Sequence, residues 1–117
     1  MPRTVAEILD HHNRAVLSNN YAEMIADYTD DAILITLKGT FVGKKAIGRA
    51  LQQLIRDMPH MRGVDSPTNA MITEGDSLLL RWSAESDTGT IKDAVDTIVF
   101  KGDRIWRQTT SFAIVPK

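Results

Sequence analysis

Apolar and polar positions recur with a helical period in the front half of the chain and as short β-rich runs in the back half. Thr4-Val5-Ala6-Glu7 has the form of a capping box, so a helix is predicted to start at Val5. Val5, Ile8, Leu9, His12 and Val16 share one face of it, and Ser18-Asn19-Asn20 ends it. Asn20 can cap a shorter second helix, with Glu23 three residues on and Met24, Ile25 and Tyr28 as its apolar stripe; Thr29-Asp30-Asp31 stops it. Ala32–Leu37 is aliphatic and β-branched and predicts a strand, Lys38-Gly39 a turn, and Thr40-Phe41-Val42 a short return strand. Gly43 opens the clearest helix. Ile47, Ala50, Leu51, Leu54, Ile55 and Met58 form one face, Lys44, Lys45, Arg49, Gln52, Gln53 and Arg56 the other, and Pro59 closes it.

Four further strands follow, Thr68–Thr73, Leu78–Ser86, Ile91–Phe100 and Arg104–Val115, separated by the turns Glu74-Gly75-Asp76, Asp87-Thr88-Gly89 and Lys101-Gly102-Asp103. Strands joined by turns this short are antiparallel neighbours, because a parallel pair needs a long crossover. Three helices in the N-terminal half and a mostly antiparallel six-strand sheet make the chain α+β. The last two strands carry apolar residues on both parities: Val95 and Val99 against Ile98 and Phe100, and Ile105 and Ala113 against Trp106, Phe112 and Ile114. A sheet covered by helices on one side and water on the other alternates cleanly. The mixed parity therefore predicts a homodimer through the sheet face.

Composition narrows the function classes more than it selects one. The chain has 117 residues, the size of a single domain spanning 1–117, with 43% hydrophobic and 25% charged residues. Fourteen Lys and Arg face 15 Asp and Glu, so no basic field for nucleic acid exists. There is no cysteine, which removes disulfides, thiolate catalysis and Cys-ligated metals. Apolar runs are too short to span a membrane. Met1-Pro2-Arg3-Thr4 leads into an acidic amphipathic pattern with no signal-peptide core, so a cytoplasmic setting is expected. Neither a phosphate-binding Gly-rich loop nor a nucleotide fingerprint is present. His11 and His12 are adjacent and point about 100° apart on a helix, which disfavours a shared metal ion. No metal or other cofactor is implied.

Three stretches carry a family likeness: Tyr28-Thr29-Asp30-Asp31-Ala32-Ile33-Leu34, Gly39-Thr40-Phe41-Val42-Gly43-Lys44-Lys45-Ala46-Ile47, and Asp96-Thr97-Ile98-Val99-Phe100 running into Gly102-Asp103-Arg104-Ile105. With the element order above, the chain resembles the SnoaL-like branch of the nuclear-transport-factor-2-like superfamily, which includes ketosteroid isomerases, polyketide cyclases and limonene epoxide hydrolase. The resemblance implies a cone: a strongly curved sheet wrapped on a long helix, a pocket between helices and sheet, and commonly a dimer. It does not imply one reaction, since the fold hosts isomerases, cyclases, hydrolases, dehydratases and non-enzymes.

Asp96 is the first candidate for chemistry. It sits mid-strand on the parity of Ala94, Ile98 and Phe100, and a core-facing Asp needs a partner or stays protonated. It reads either as a proton-transfer group or as a structural acceptor for a helix-1 side chain or a loop amide. In the resemblance Asp96 aligns with the protonated oxyanion-hole Asp of ketosteroid isomerase. The isomerase's base falls at Thr36 and its oxyanion-hole Tyr at Asn13, so that mechanism does not carry over. The epoxide hydrolase's Arg-x-Asp becomes Arg81-Trp82-Ser83 here, without the second carboxylate.

His12 is the second candidate. It is a general base if it faces Asp96 across the pocket, or a core-edge histidine bonded to a carbonyl. His11 is expected at the surface. His60 is expected in a loop with Met58, Met61 and the 59–67 segment, which can act as a lid or serve as a plain connection. Asn13, Tyr28, Thr36, Trp82, Gln108, Thr110 and Phe112 are expected to line the pocket, with Trp106 on the same parity as the last three. Arg107, Thr109 and Ser111 then face the partner copy; with the opposite parity the two sets exchange roles. The expected ligand is a small apolar or weakly polar molecule with a carbonyl or ring. The expected role is acid–base catalysis, with a non-enzymatic ligand-binding or dimerisation module as the alternative.

Overall fold

Helix α1 spans Val5–Leu17 in a computed structural model that describes residues 2–64 and 69–117. Its start is chemical. The Thr4 hydroxyl accepts from the Glu7 amide at 3.1 Å, and the Glu7 carboxylate accepts from the Thr4 amide at 2.9 Å. Helix α2 spans Tyr21–Ala26, and Asn20 Oδ1 accepts from the Glu23 amide at 3.3 Å to cap it. Helix α3 spans Lys44–Asp57 and buries Ile47, Gly48 and Leu51. Among the described residues, no helix is long and apolar enough to cross a membrane.

The strands are β1 (Tyr28–Thr36), β2 (Gly39–Val42), β3 (Ala70–Glu74), β4 (Ser77–Glu85), β5 (Gly89–Lys101), β6 (Arg104–Ser111) and β7 (Ile114–Pro116). They form one curved, unclosed sheet in the order β2-β1-β6-β5-β4-β3, and β7 pairs with the start of β5. The fold is α+β, as expected, with two differences. The last expected strand breaks at Phe112-Ala113. Its two pieces, β6 and β7, follow one another along the same edge of β5, so the sheet has a seventh strand. The other difference is that β1 and β6 pair in parallel, Tyr28 opposite Ile105 and Ile35 opposite Thr109. Hairpin logic connects only neighbours in sequence and does not reach this pair.

Tyr28 does not belong to the second helix. It opens β1, because Asp27 ends α2 and its carbonyl accepts from the Ile105 amide at 2.7 Å, which draws the next residues into the sheet. Thr29-Asp30-Asp31 therefore lies in β1 despite the low strand preference of Asp. Register shifts between Tyr28 and Ile33, Trp82 and Ala84, and Val99 and Phe100 bend the sheet into a cone.

One row across the inner face reads Leu34, Gln108, Ile98, Leu78, all buried and in register. The next row on the opposite face reads Ile35, Thr109, Thr97, Leu79, Ile72, all exposed. Gln108 and Thr110 therefore point inward, and Thr109 and Ser111 outward. Trp106 departs from its expected parity. It is the extra residue of the β5–β6 bulge, and its ring lies under the Arg107 guanidinium at 3.9 Å and near Lys101 at 5.5 Å, away from the cavity.

Candidate functional site

Helices α1 and α3 do not close the inner face completely. An inner cavity of about 120 Å³ is left between them and the sheet. Helix α1 contributes His12 and Asn13, α3 contributes Leu51 and Leu54, and the sheet contributes Trp82, Asp96, Gln108, Thr110 and neighbouring Phe112. A larger groove of about 560 Å³ adjoins it, between α3 and the β1–β2 hairpin. Leu34, Leu51, Leu54, Thr110 and Phe112 line both spaces.

Asp96 lies in the wall of the inner cavity, 6% exposed. Trp82 Nε1–H donates to its Oδ1 at 3.0 Å, Gln108 Nε2–H donates to Oδ2 at 2.9 Å, and the Thr110 hydroxyl donates to Oδ1. Each carboxylate oxygen thus accepts at least one bond. The partners are three side chains of β4 and β6, not a helix-1 side chain or a loop amide. Register brings them together: Asp96 stands opposite Thr110 on one side and Leu80 on the other, with Gln108 and Trp82 two residues along. The network continues inward, since the Tyr28 hydroxyl donates to Gln108 Oε1 at 2.7 Å. Tyr28 itself is fully buried and reaches the site only through Gln108; it does not line either space. Burial, reinforced by the charges of Asp96 and Asp27, pushes its phenol far above its ordinary pKa and keeps it a donor.

His12 lines the same inner cavity as Asp96, and the two are not hydrogen-bonded to each other. Its ring meets Tyr28 edge-on at 5.9 Å. Its Nδ1 is buried without a hydrogen-bond partner among the described residues and stands 4.0 Å from Asp27 Oδ2. Burial pulls its pKa below the ordinary histidine value, against the opposing charges of Asp27 and Asp96. The ring is therefore neutral near pH 7, with one nitrogen able to accept a proton. Asn13 lines the inner cavity. Thr36 lines the outer groove instead, where its hydroxyl accepts from the Lys38 amide at 3.0 Å.

His11 is not a surface residue. Its Nδ1 sits 2.8 Å from both Asp27 oxygens and its Nε2 2.7 Å from Glu23. Arg3 Nη1 donates to Asp27 Oδ1 at 2.7 Å. The Asp27 bond holds the His11 pKa above its ordinary value, against partial burial. Asp27, 0% exposed, is the centre that sequence reasoning missed. The available signal was an acid three residues after Met24 on the apolar stripe of the second helix.

His60 does not cover the cavity. It is exposed, pairs with Asp87 beside Arg62, and lines neither space. The Asp87 amide donates to the Pro59 carbonyl at 3.0 Å, and Arg62 bridges to Glu85, which ties this segment to the β4–β5 turn. Met61 does line the inner cavity, while Met58 is buried in the core. Residues 65–67 of the expected lid lie outside the described residues. Among the described residues, no group of three or more His, Asp and Glu side chains is arranged to hold a metal ion.

A family model described as a SnoaL-like domain matches residues 9–108. No curated protein matches the chain. Among solved structures, the chain is similar to an NTF2-like protein of unknown function from Cytophaga hutchinsonii, at a TM-score of 0.75 and 14% identity, over 97% of this chain and 93% of that one. It is similar to a candidate polyketide cyclase from Sinorhizobium meliloti, at a TM-score of 0.73 and 17% identity, over 89% of this chain and 93% of that one. A candidate ketosteroid isomerase from Kribbella flavida gives a TM-score of 0.69 at 11% identity, over 92% of this chain and 76% of that one. Likenesses at such identities speak for the fold and leave the reaction to the residues in the cavity.

Proposed function

The chain belongs to the SnoaL-like domain family, and from that premise we propose that its cone binds a small, largely apolar molecule bearing a carbonyl group and moves a proton on it without a cofactor. The observation that carries this reading is a buried carboxylate, Asp96, in the wall of a cavity that also holds neutral His12 and Asn13. Asp96 is the group that takes the proton from carbon beside the carbonyl. Asn13 and His12 lie across the cavity, where they orient the carbonyl oxygen. Trp82, Gln108 and Thr110 hold the carboxylate in one rotamer by donating to it.

Those same three donors also favour a second reading. A carboxylate whose oxygens are already engaged within the protein suits a non-enzymatic ligand-binding module. The two readings separate in deuterium oxide, with small cyclic ketones as probes and proton exchange followed by NMR. Exchange in the native protein, lost by about a hundredfold or more in Asp96→Asn with the circular dichroism unchanged, supports proton transfer. Undiminished exchange in Asp96→Asn removes Asp96 from the chemistry. Ketone binding without exchange in the native protein leaves the binding-module reading.

A second copy of the chain is proposed to cover the outer sheet face. Support comes from the uncharged row Ile35, Thr109, Thr97, Leu79, Ile72, in which Ile35 is 47%, Leu79 44% and Ile72 65% exposed. A twofold axis can lay such a row on itself without burying a charge. Sedimentation of the native protein at micromolar concentration is expected to give a dimer, and Leu79→Glu a monomer; a monomeric native protein defeats the idea.

A further inference from the structure

The outer groove and the inner cavity differ in the sign of their charge. The inner end carries Asp96 and a neutral His12. Around the groove stand Lys38, Arg49 and Arg56 against a single acid, Asp57. That acid is already engaged, by Lys38 Nζ at 3.5 Å and by Gln53 Nε2–H at 2.9 Å. Arg56 donates to Gln53 Oε1 at 2.9 Å. Arg49 has no ion pair or hydrogen bond among the described residues.

The shape of the groove has a cause in the helix. Ala46, Arg49, Ala50, Gln53 and Arg56 recur at helical spacing along the face of α3 that borders it. Two of these five are alanines, which leave open space beside the long stems of Arg49 and Gln53. Across the groove, Leu37 at the hairpin turn is 80% exposed, a large apolar side chain with nothing to cover it. The groove thus sets apolar walls beside a cation unpaired among the described residues, and it shares Leu34, Leu51, Leu54, Thr110 and Phe112 with the inner cavity that holds Asp96.

We propose that the molecule this cone takes is an amphipathic carboxylate, an elongated apolar body with one anionic group at its end, seated with the anion against Arg49 and the body running over Leu37 and Phe112 toward Asp96. This rests on the proposed cavity-binding function and adds the ligand's charge and direction. The opposite orientation would bring two carboxylates together at the inner end, where little water remains to screen them. A ligand with a cationic end meets three cations at the mouth.

The test uses the full chain with decanoate and 1-decanol as probes, binding being measured by calorimetry at low ionic strength. Decanoate is expected to bind more tightly than decanol. Arg49→Gln is expected to weaken decanoate by roughly three- to tenfold and to leave decanol unchanged. Half-molar salt is expected to narrow the difference between the probes, since the mouth is open to solvent. Leu37→Ser is expected to weaken both probes alike, which marks the groove as the seat of the apolar body. Equal binding of the two probes, or decanoate binding untouched by Arg49→Gln, overturns the assignment of charge while the cavity reading stands. Binding of neither probe also overturns the amphipathic-carboxylate ligand, and the cyclic ketones then decide the cavity reading on their own.

Discussion

At the start of the parallel pair β1 and β6, where Tyr28 stands opposite Ile105, Asp27 is completely buried and takes bonds from Arg3 at 2.7 Å and His11 at 2.8 Å. At the far end of the same two strands, beyond Ile35 and Thr109, Arg49 borders an apolar groove without a partner among the described residues, and Leu37 stands in water. The two ends share strands β1 and β6, but the packed end draws on α1 and α2 and the open end on α3. One engages its charges within the fold, Asp27 binding both Arg3 and His11. The other leaves a charge and an apolar wall unanswered. A buried charge without a partner costs too much to persist, so the packed end has to be self-sufficient. An exposed Arg costs little, so the open end can leave Arg49 unpaired among the described residues.

The sharpest way to break this comparison is Asp27→Ala. It strands Arg3 and His11 around an empty site and is expected to cost about 3 kcal/mol in urea denaturation. A loss below about 1 kcal/mol would mean that the packed end is no more structural than the mouth.

Gly48 and Arg49 are neighbours on α3 and sharpen the comparison at closer range. A Cβ on Gly48 would stand 2.5 Å from Tyr21 Cε2 and 2.9 Å from Ile25 Cγ2, so Gly48→Ala is expected to cost about 1–3 kcal/mol through overpacking of α2 on α3. Arg49→Gln, one residue on and facing the groove, is expected to change stability by less than about 0.5 kcal/mol. Thermal melts of the two variants side by side check both values. Equal effects would erase the distinction between the two faces of this helix.

The smallest expected effect is a difference in pH dependence between two adjacent histidines. Burial lowers the folded pKa of His12. The unfolded chain therefore takes up a proton near pH 6.5 that the folded one resists, and His12 makes the protein less stable as pH falls through that region. The Asp27 bond raises the folded pKa of His11, so its contribution is fully present below its unfolded value of 6.5 and is lost as pH rises through the folded one. Melts between pH 7.5 and 5.5 are expected to show His11→Gln losing more stability on acidification than the native protein and His12→Asn losing less, roughly in step with the two opposite shifts. The same sign of change in both variants would sink the assignment of the two shifts to Asp27 and to burial.

Much of the secondary structure was legible in the chain and some of the site was not. The caps at Thr4 and Asn20, the amphipathic face of α3 and the hairpin turns all depend on residues a few positions apart, and each falls where the pattern put it, whereas β1 starts four residues before the expected Ala32 and the last expected strand splits into β6 and β7. The inward parity of Asp96 was legible for the same reason, since strand alternation is local, whereas for Gln108 and Thr110 the pattern of the last strand admits both parities and pairing with β5 decides. Trp106 was misplaced because one bulged residue inverts the alternation, and nothing in the sequence marks the bulge. Tyr28 was misplaced because its helical spacing from Met24 lost to pairing between β1 and β6. His11 was misplaced because the acid that draws it inward lies sixteen positions away.

The sequence by itself determined where the three helices start, that the back half is a meander, that the chain carries no cysteine chemistry, and that Asp96 is committed to an apolar strand face. Those properties follow from turn chemistry, side-chain periodicity and composition, which act within a few residues. Only the tertiary structure decided which groups meet. It set the parallel β1–β6 pair, the three donors on Asp96, the Arg3–Asp27–His11 cluster, and the groove with Arg49 at its mouth. The physical reason is that a buried polar group takes partners wherever the folded chain brings them, as with Tyr28 and Gln108 80 positions apart, and no local pattern records that distance.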